Sequence, residues 1–193
     1  MPSQKGSQKL RIVAGIHKGR ALAAPKSNDI RPTSDRVREA MFNILSHSIA
    51  DFSFTDARVL DLFAGTGALG LEALSRGAKF IQFIEHDAAA RGLIRSNAET
   101  LGATGQVKIW RRDATNLSKL EGIPPFNLAF LDPPYAKGLG DKALAELVDG
   151  GWLAEGAVIV LEEAKSTEIS VPQELQIITT RDYGDTTARF FMT

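Results

Sequence analysis

From residue 57 onward, short apolar runs alternate with stretches whose apolar positions recur at helical spacing, and glycines mark the changes. Arg58-Val-Leu-Asp61-Leu62 reads as a strand, and Gly67 to Arg76 as a helix ended by Gly77. Phe80 to Ile84 is a second strand leading into Glu85, residues 87 to about 101 a second helix, and Val107 to Trp110 a third strand followed by Asp113. The run Phe126-Asn-Leu-Ala-Phe-Leu131 is a fourth strand, stopped by Asp132-Pro133-Pro134-Tyr135, because neither proline has an N–H to give a ladder. A helix over about 141–149 and a buried strand, Ala157 to Leu161, follow. In the tail, Leu175 to Thr180 and Arg189 to Met192 read as strands around the turn Asp182-Tyr-Gly184-Asp185. The pattern predicts an α/β fold: a mostly parallel, seven-stranded sheet with helices on both faces, its edge closed by an antiparallel C-terminal hairpin.

The first fifty residues follow a different rhythm. Residues 1–10 are polar and read as a disordered tail. Two short apolar runs between Arg11 and Ala24, either side of His17-Lys18-Gly19, predict a small hairpin. Beyond a turn-rich connector from Pro25 to Pro32, Thr33 or Ser34 caps a helix marked by Val37, Met41, Ile44, Leu45 and Ile49. Residues 11–50 thus form a basic hairpin and helix ahead of a main domain at 51–193.

Composition narrows the chemistry. The 193 residues contain no cysteine, which removes disulfides, thiolate metal sites and cysteine nucleophiles. His17, His47 and His86 are scattered, which argues against a metal centre. No apolar run reaches membrane-spanning length and Met1-Pro-Ser-Gln-Lys-Gly lacks a signal-peptide core, so the expectation is a cytoplasmic protein, by default a monomer. Net charge is zero, yet residues 1–40 carry nine Lys/Arg against three acids. That basic front fits a polyanion, and an ordinary solvated arm is the plain alternative. Arg31, Arg36 and Arg38 crowd the start of the first helix, against its macrodipole. Polyanion contact accounts for this, as do ion pairs with Asp35 or Glu39.

The glycine motif comes next. Gly65-Thr-Gly67-Ala-Leu-Gly70 satisfies G-x-G-x-x-G with Glu85 about 20 residues on, where a dinucleotide fold places its ribose-binding acid. Asp61 argues against a dinucleotide, because an acid ahead of the glycines repels a pyrophosphate and welcomes a cation. S-adenosylmethionine answers to that: glycines for its amino-acid portion, Glu85 for the ribose hydroxyls, Asp113 and the Ala114 N–H for adenine, and His86 or an apolar neighbour to stack on it. Asp61, Glu85, Asp113 and Asp132 all fall at strand ends, the rim where open α/β sheets bind ligands.

Asp132-Pro133-Pro134-Tyr135 then supplies a carboxylate, a backbone carbonyl and an aromatic face, a set suited to an exocyclic amino group. That nitrogen's lone pair is delocalised into the base; two acceptors on its hydrogens free the pair, and stacking holds the ring at about 1–3 kcal/mol.

Together, Asp61-Leu-Phe63-Ala-Gly-Thr-Gly67, Glu85 and Asp132-Pro-Pro-Tyr135 resemble the motifs of class I amino methyltransferases with a Rossmann-like fold. The chain from Arg11 to Met192 resembles the RsmD-like family of bacterial 16S rRNA guanine-N2 methyltransferases. Arg11-Ile-Val-Ala-Gly15, Gly19-Arg20, Arg31-Pro-Thr-Ser-Asp-Arg-Val-Arg-Glu39, Gly67 to Ser75, Gly151-Trp-Leu153 and Tyr183-Gly-Asp185 carry the likeness.

The resemblance implies methylation of N2 of one guanine, guanine 966, in 16S rRNA within the 30S subunit or an assembly intermediate. It also implies Phe63 at the cofactor and Arg11, Arg20, Arg31, Arg36 and Arg38 on the RNA. An adenine-N6 methyltransferase acting on DNA, a nicotinamide oxidoreductase and a non-catalytic RNA-binding module remain as alternatives.

Overall fold

The computed structural model describes residues 10–25, 34–134 and 138–193. Its frame is one sheet of seven strands in the order β3-β2-β1-β4-β5-β7-β6. They are β1 (Arg58–Leu62), β2 (Phe80–Ile84), β3 (Val107–Trp110), β4 (Phe126–Leu131), β5 (Leu153–Ala164), β6 (Gln176–Tyr183) and β7 (Thr186–Met192). β1 to β5 pair in parallel, whereas β7 runs antiparallel between β5 and β6. The expected α/β architecture is what forms. Each central strand is buried on both faces, as parallel sheets require.

Side-chain alternation divides the core in two. Val59, Ile81, Phe83, Leu128, Phe130, Val158 and Val160 face one side, where α1 (Asp35–His47), α2 (Ala68–Ser75) and α3 (Ala88–Thr100) bring Met41, Phe42, Leu45, Leu71, Leu74, Ile94 and Ala98. Leu60, Leu62, Ala129, Leu131, Ile159 and Leu161 face the other, covered by Leu144 and Leu147 of α4 (Leu139–Asp149) and by Leu117 and Trp152. Among the described residues no helix is long and apolar enough to cross a membrane.

Two expectations need correction. β5 runs from Leu153, well before Ala157: Gly156 has φ +68° and the pairing with β4 shifts register between Phe126 and Leu128, so the polar start of the strand is irregular but still paired. The tail turn shrinks to Gly184-Asp185, because β6 and β7 continue to Tyr183 and Thr186. The small hairpin expected within 11–24 forms: Arg11 and Ala21 are antiparallel partners, the Ile12 N–H donates to the Arg20 carbonyl at 2.9 Å and the Gly19 N–H to the Ile12 carbonyl at 2.8 Å.

The turn of this hairpin gives other N–H groups to α2. Those of Val13 and Ala14 donate to the Glu72 carboxylate at 2.7 and 2.9 Å. Those of Ile16 and His17 donate to the carbonyl and hydroxyl of Ser75, at 2.8 and 3.0 Å. Leu10, expected in the disordered tail, is buried and its carbonyl accepts from the Leu22 N–H at 2.8 Å; residues 1–9 lie outside the described residues.

α1 begins where expected, with the Ser34 hydroxyl accepting from the Val37 N–H. Its buried face holds one unexpected side chain, Arg38, only 1 % exposed. Arg38 pairs with Asp35 at 2.9 Å, lies 3.9 Å from Glu72 and donates to the Arg11 carbonyl. Burial pulls its pKa down, against the opposing charges of Glu72 and Asp35.

Candidate active site

The strand order sets Asp113, Glu85, Asp61, Asp132 and Glu162 along one rim, at or just beyond the C-terminal ends of β3, β2, β1, β4 and β5. Between β1 and α2 the chain turns through Phe63, Gly65 and Gly67, all at positive φ (57°, 54° and 76°). Phe63 is the strained member, since a side chain there crowds its own carbonyl. Gly67, the N-cap of α2, leaves little room for a Cβ, which would stand 3.2 Å from Phe83 and 3.3 Å from Ile94.

The rim acids hold this loop from beneath. Asp61 is sealed below the surface at 1 % exposure and accepts the Gly70 N–H at 2.9 Å, which fixes the first turn of α2. Burial, opposed by that hydrogen bond and reinforced by the charge of Glu85, pushes its carboxyl up to about 8. Asp61 lies in β1 one residue before its end, as expected, and its carboxyl is turned toward the loop. Glu85 accepts the N–H groups of Gly65 at 2.9 Å and Asp87 at 2.8 Å while lining the cleft. A carboxylate has about four acceptor sites, so two remain for a ligand.

That cleft has a volume of about 150 Å³ and opens to solvent, smaller than the roughly 300–1,000 Å³ common for small-molecule sites. Of the residues expected there, Phe63, Glu85, His86, Asp113, Ala114 and Pro134 line it. His86 is exposed, and Asp113 is held below the usual carboxylate range by hydrogen bonds from the Thr115 N–H and hydroxyl. Ile84, Arg112 and Leu139 also line it and were not anticipated. Arg112 stacks its guanidinium 4.7 Å over Trp110, and its place before Asp113 is a signal the sequence carried. The lining suits an adenosine bearing positive charge: the carboxyls of Glu85 and Asp113 lie beyond β2 and β3, and the glycine loop has no lysine or arginine to meet a phosphate.

Asp132 follows β4 and is half-buried. Its carboxyl lies well above the usual range, chiefly through burial and then through the charges of Glu162, Asp61 and Glu163. Pro133 is buried and Pro134 forms cleft wall, so the Pro-Pro turn ties Asp132 to the cleft. Tyr135 lies outside the described residues, as does Arg31. Arg11, Arg20 and Arg36 are exposed, with Arg11 also paired to Asp35 at 2.9 Å. Arg38 is not available to an external polyanion, being enclosed with Asp35 and Glu72. Among the described residues no group of three or more histidines or acids is placed to hold a metal.

Comparison with known proteins bears on this arrangement. A family model described as Conserved hypothetical protein 95 matches residues 10–192. Ribosomal RNA small subunit methyltransferase D of Escherichia coli K12 is 43 % identical over 161 residues, covering 83 % of this chain and 78 % of that protein. The Haemophilus influenzae protein of the same name is 33 % identical over 192 residues, covering 98 % and 96 %. The solved structure of yhhF from Escherichia coli superposes with a TM-score of 0.81 at 34 % identity, covering 96 % of this chain and 98 % of that one.

Proposed function

The chain belongs to the RsmD-like methyltransferase family, and from that premise we propose that it methylates the exocyclic N2 amino group of a guanine in small-subunit ribosomal RNA. S-adenosylmethionine, when bound in the cleft, supplies the methyl group. Glu85 and Asp113 orient its adenosine, and the side-chain-free backbone at Gly65 and Gly67 lets the loop approach its amino-acid end. The relatives' names speak of ribosomal RNA; the chemistry of the rim speaks for an exocyclic amino group, and the guanine and its N2 rest on the family resemblance.

The observation that carries this reading is Asp132 beside the Pro134 wall of the cleft. In free guanine the N2 lone pair is spread into the ring, so nitrogen is a poor nucleophile. The Asp132 carboxylate and the Pro133 carbonyl accept its two hydrogens, which favours a pyramidal nitrogen with its lone pair directed at the methyl carbon. Once methylated, the nitrogen is acidic, and Asp132 or water takes the proton. Positioning and electrostatics supply the rate, with no strong base required beforehand. Tyr135 is assigned to stack on the base, which leaves its duplex partners to reach the cleft.

Arg11, Arg20 and Arg36, with Arg31, hold the RNA backbone, and the partner is 16S rRNA in the 30S particle or a precursor of it. Asp132→Ala tests the assignment: methyl transfer should fall by at least about a thousandfold while S-adenosylhomocysteine still raises the melting temperature as in the wild type. Undiminished transfer by Asp132→Ala would refute it.

A further inference from the structure

Ile16 stands at the tip of the turn that docks on α2, with 82 % of its surface exposed. A single open apolar side chain is ordinary on a protein surface; what sets this one apart is how firmly it is held and what surrounds it. Its N–H donates to the Ser75 carbonyl, the His17 N–H donates to the Ser75 hydroxyl, and that buried hydroxyl donates to the Ala14 carbonyl. Behind it Gly15 lies too close to Ser75 for any Cβ, and the Lys18 N–H closes the turn on the Gly15 carbonyl at 3.2 Å. A β-branched side chain has few rotamers of its own, so this clamped backbone presents Ile16 to solvent in nearly one position.

The charges around the tip say what it meets. Lys18 and Arg20 are exposed beside it and form no ion pair among the described residues, and residues 10–25 include no acid. An apolar tip between free cations matches a nucleic-acid strand, whose phosphates meet the cations and whose base faces meet the apolar group. α2 runs eight residues from the glycine loop to Ser75, about 12 Å along its axis. Ile16 is therefore too far from the rim to touch a base in the cleft. We infer, building on the reading that ribosomal RNA is the substrate, that Ile16 packs on the face of an unpaired nucleobase outside the cleft while Lys18 and Arg20 hold the phosphates beside it. Ile16 is a positioning residue in this role: it fixes where the strand lies and forms or breaks no bond.

Ile16→Ala removes apolar surface and no charge. Its affinity for protein-free 16S rRNA should fall about tenfold with the slope of log K against log salt unchanged, whereas Lys18→Ala should reduce that slope by about 0.7–0.9. On 30S particles the KM of Ile16→Ala should rise about as much while kcat stays within about twofold of wild type. An unchanged melting temperature and S-adenosylhomocysteine affinity report an intact fold and cofactor site. Because the chain has no cysteine, Ile16→Cys takes a benzophenone maleimide at one place. Irradiated on 30S particles, it should crosslink to one short stretch of 16S rRNA, and Ile177→Cys, labelled in the same way on the edge strand β6, should not.

Unchanged rRNA affinity in Ile16→Ala overturns the assignment. So does a crosslink confined to ribosomal proteins, which would make the tip a protein contact, or a fall in kcat at constant KM. If the wild type transfers no methyl to rRNA, the reading of the site fails by itself; the affinity and crosslinking measurements decide the role of Ile16 without turnover.

Discussion

Asn97 and Ala23 exchange two hydrogen bonds: the Ala23 N–H donates to Asn97 Oδ1 at 2.6 Å, and Asn97 Nδ2 donates to the Ala23 carbonyl at 3.1 Å. The same Nδ2 donates to the Thr66 carbonyl at 2.9 Å. One fully buried amide on α3 thus joins the end of the N-terminal segment to the glycine loop. Asn97→Ala leaves three backbone groups short of partners, at about 1–3 kcal/mol for each that stays buried. Its urea midpoint should drop and its S-adenosylhomocysteine affinity weaken together; a midpoint equal to wild type would show that water replaces the amide.

Glu72 anchors the other end of the segment. It is wholly buried, accepts the N–H groups of Val13 and Ala14, and pairs with Arg76 at 2.9 Å and more distantly with Arg38. Glu72→Ala leaves the buried guanidinium of Arg38 with only Asp35 and the Arg11 carbonyl, and breaking such a pair costs about 3–5 kcal/mol. We expect a loss of that size in chemical denaturation. A loss under about 1 kcal/mol would mean that the network relaxes around the gap.

Gly15 has φ +82°, and a Cβ there would fall 1.8 Å from the Ser75 carbonyl oxygen. Gly15→Ala must therefore lift the turn off α2, carrying Arg11 and Arg20 out of place. RNA affinity should weaken on the order of tenfold and its salt dependence flatten, while S-adenosylhomocysteine binding stays near wild type. Unchanged RNA affinity across a salt series would remove this turn from the RNA surface.

Asp61 gives a pH signature. Its carboxyl is raised to about 8 in the folded chain from 3.8. Between about pH 4 and pH 8 the folded chain holds a proton that the unfolded chain has lost, so stability falls as pH rises, by at most about 1.4 kcal/mol per unit. Asp132, also raised, adds to the slope. Asp61→Asn keeps an oxygen for the Gly70 N–H but cannot ionise, so its stability relative to wild type should increase steadily from pH 4 to pH 8. A constant difference over that window would contradict the buried, protonated state.

The strands were legible because their apolar runs are bounded by glycine, proline or an acid: β2 and β3 fall at Phe80–Ile84 and Val107–Trp110 as the pattern predicts. The start of β5 was hidden, since Ala154-Glu155-Gly156 looks like a loop and is held only by pairing with β4. Arg38 was misplaced because charge was weighed above spacing. Arg38, Met41, Phe42 and Leu45 stand three and four apart on one helical face, which marks it for burial. That Asp61 would turn its carboxyl under the loop, to the Gly70 N–H, was not legible, because the sequence does not show which way a strand-end side chain is met. Arg112, though next to an expected cleft residue, was passed over because the sequence does not show how a chain turns after a strand.

The most direct measurement is transfer of labelled methyl from S-adenosylmethionine to 30S particles, free 16S rRNA and duplex DNA from cells lacking this protein, followed by nucleoside analysis. Label recovered as N2-methylguanine from the particle or the rRNA, and none from DNA, is the predicted result. Label recovered as N6-methyladenine, or on DNA alone, would contradict the account of the site.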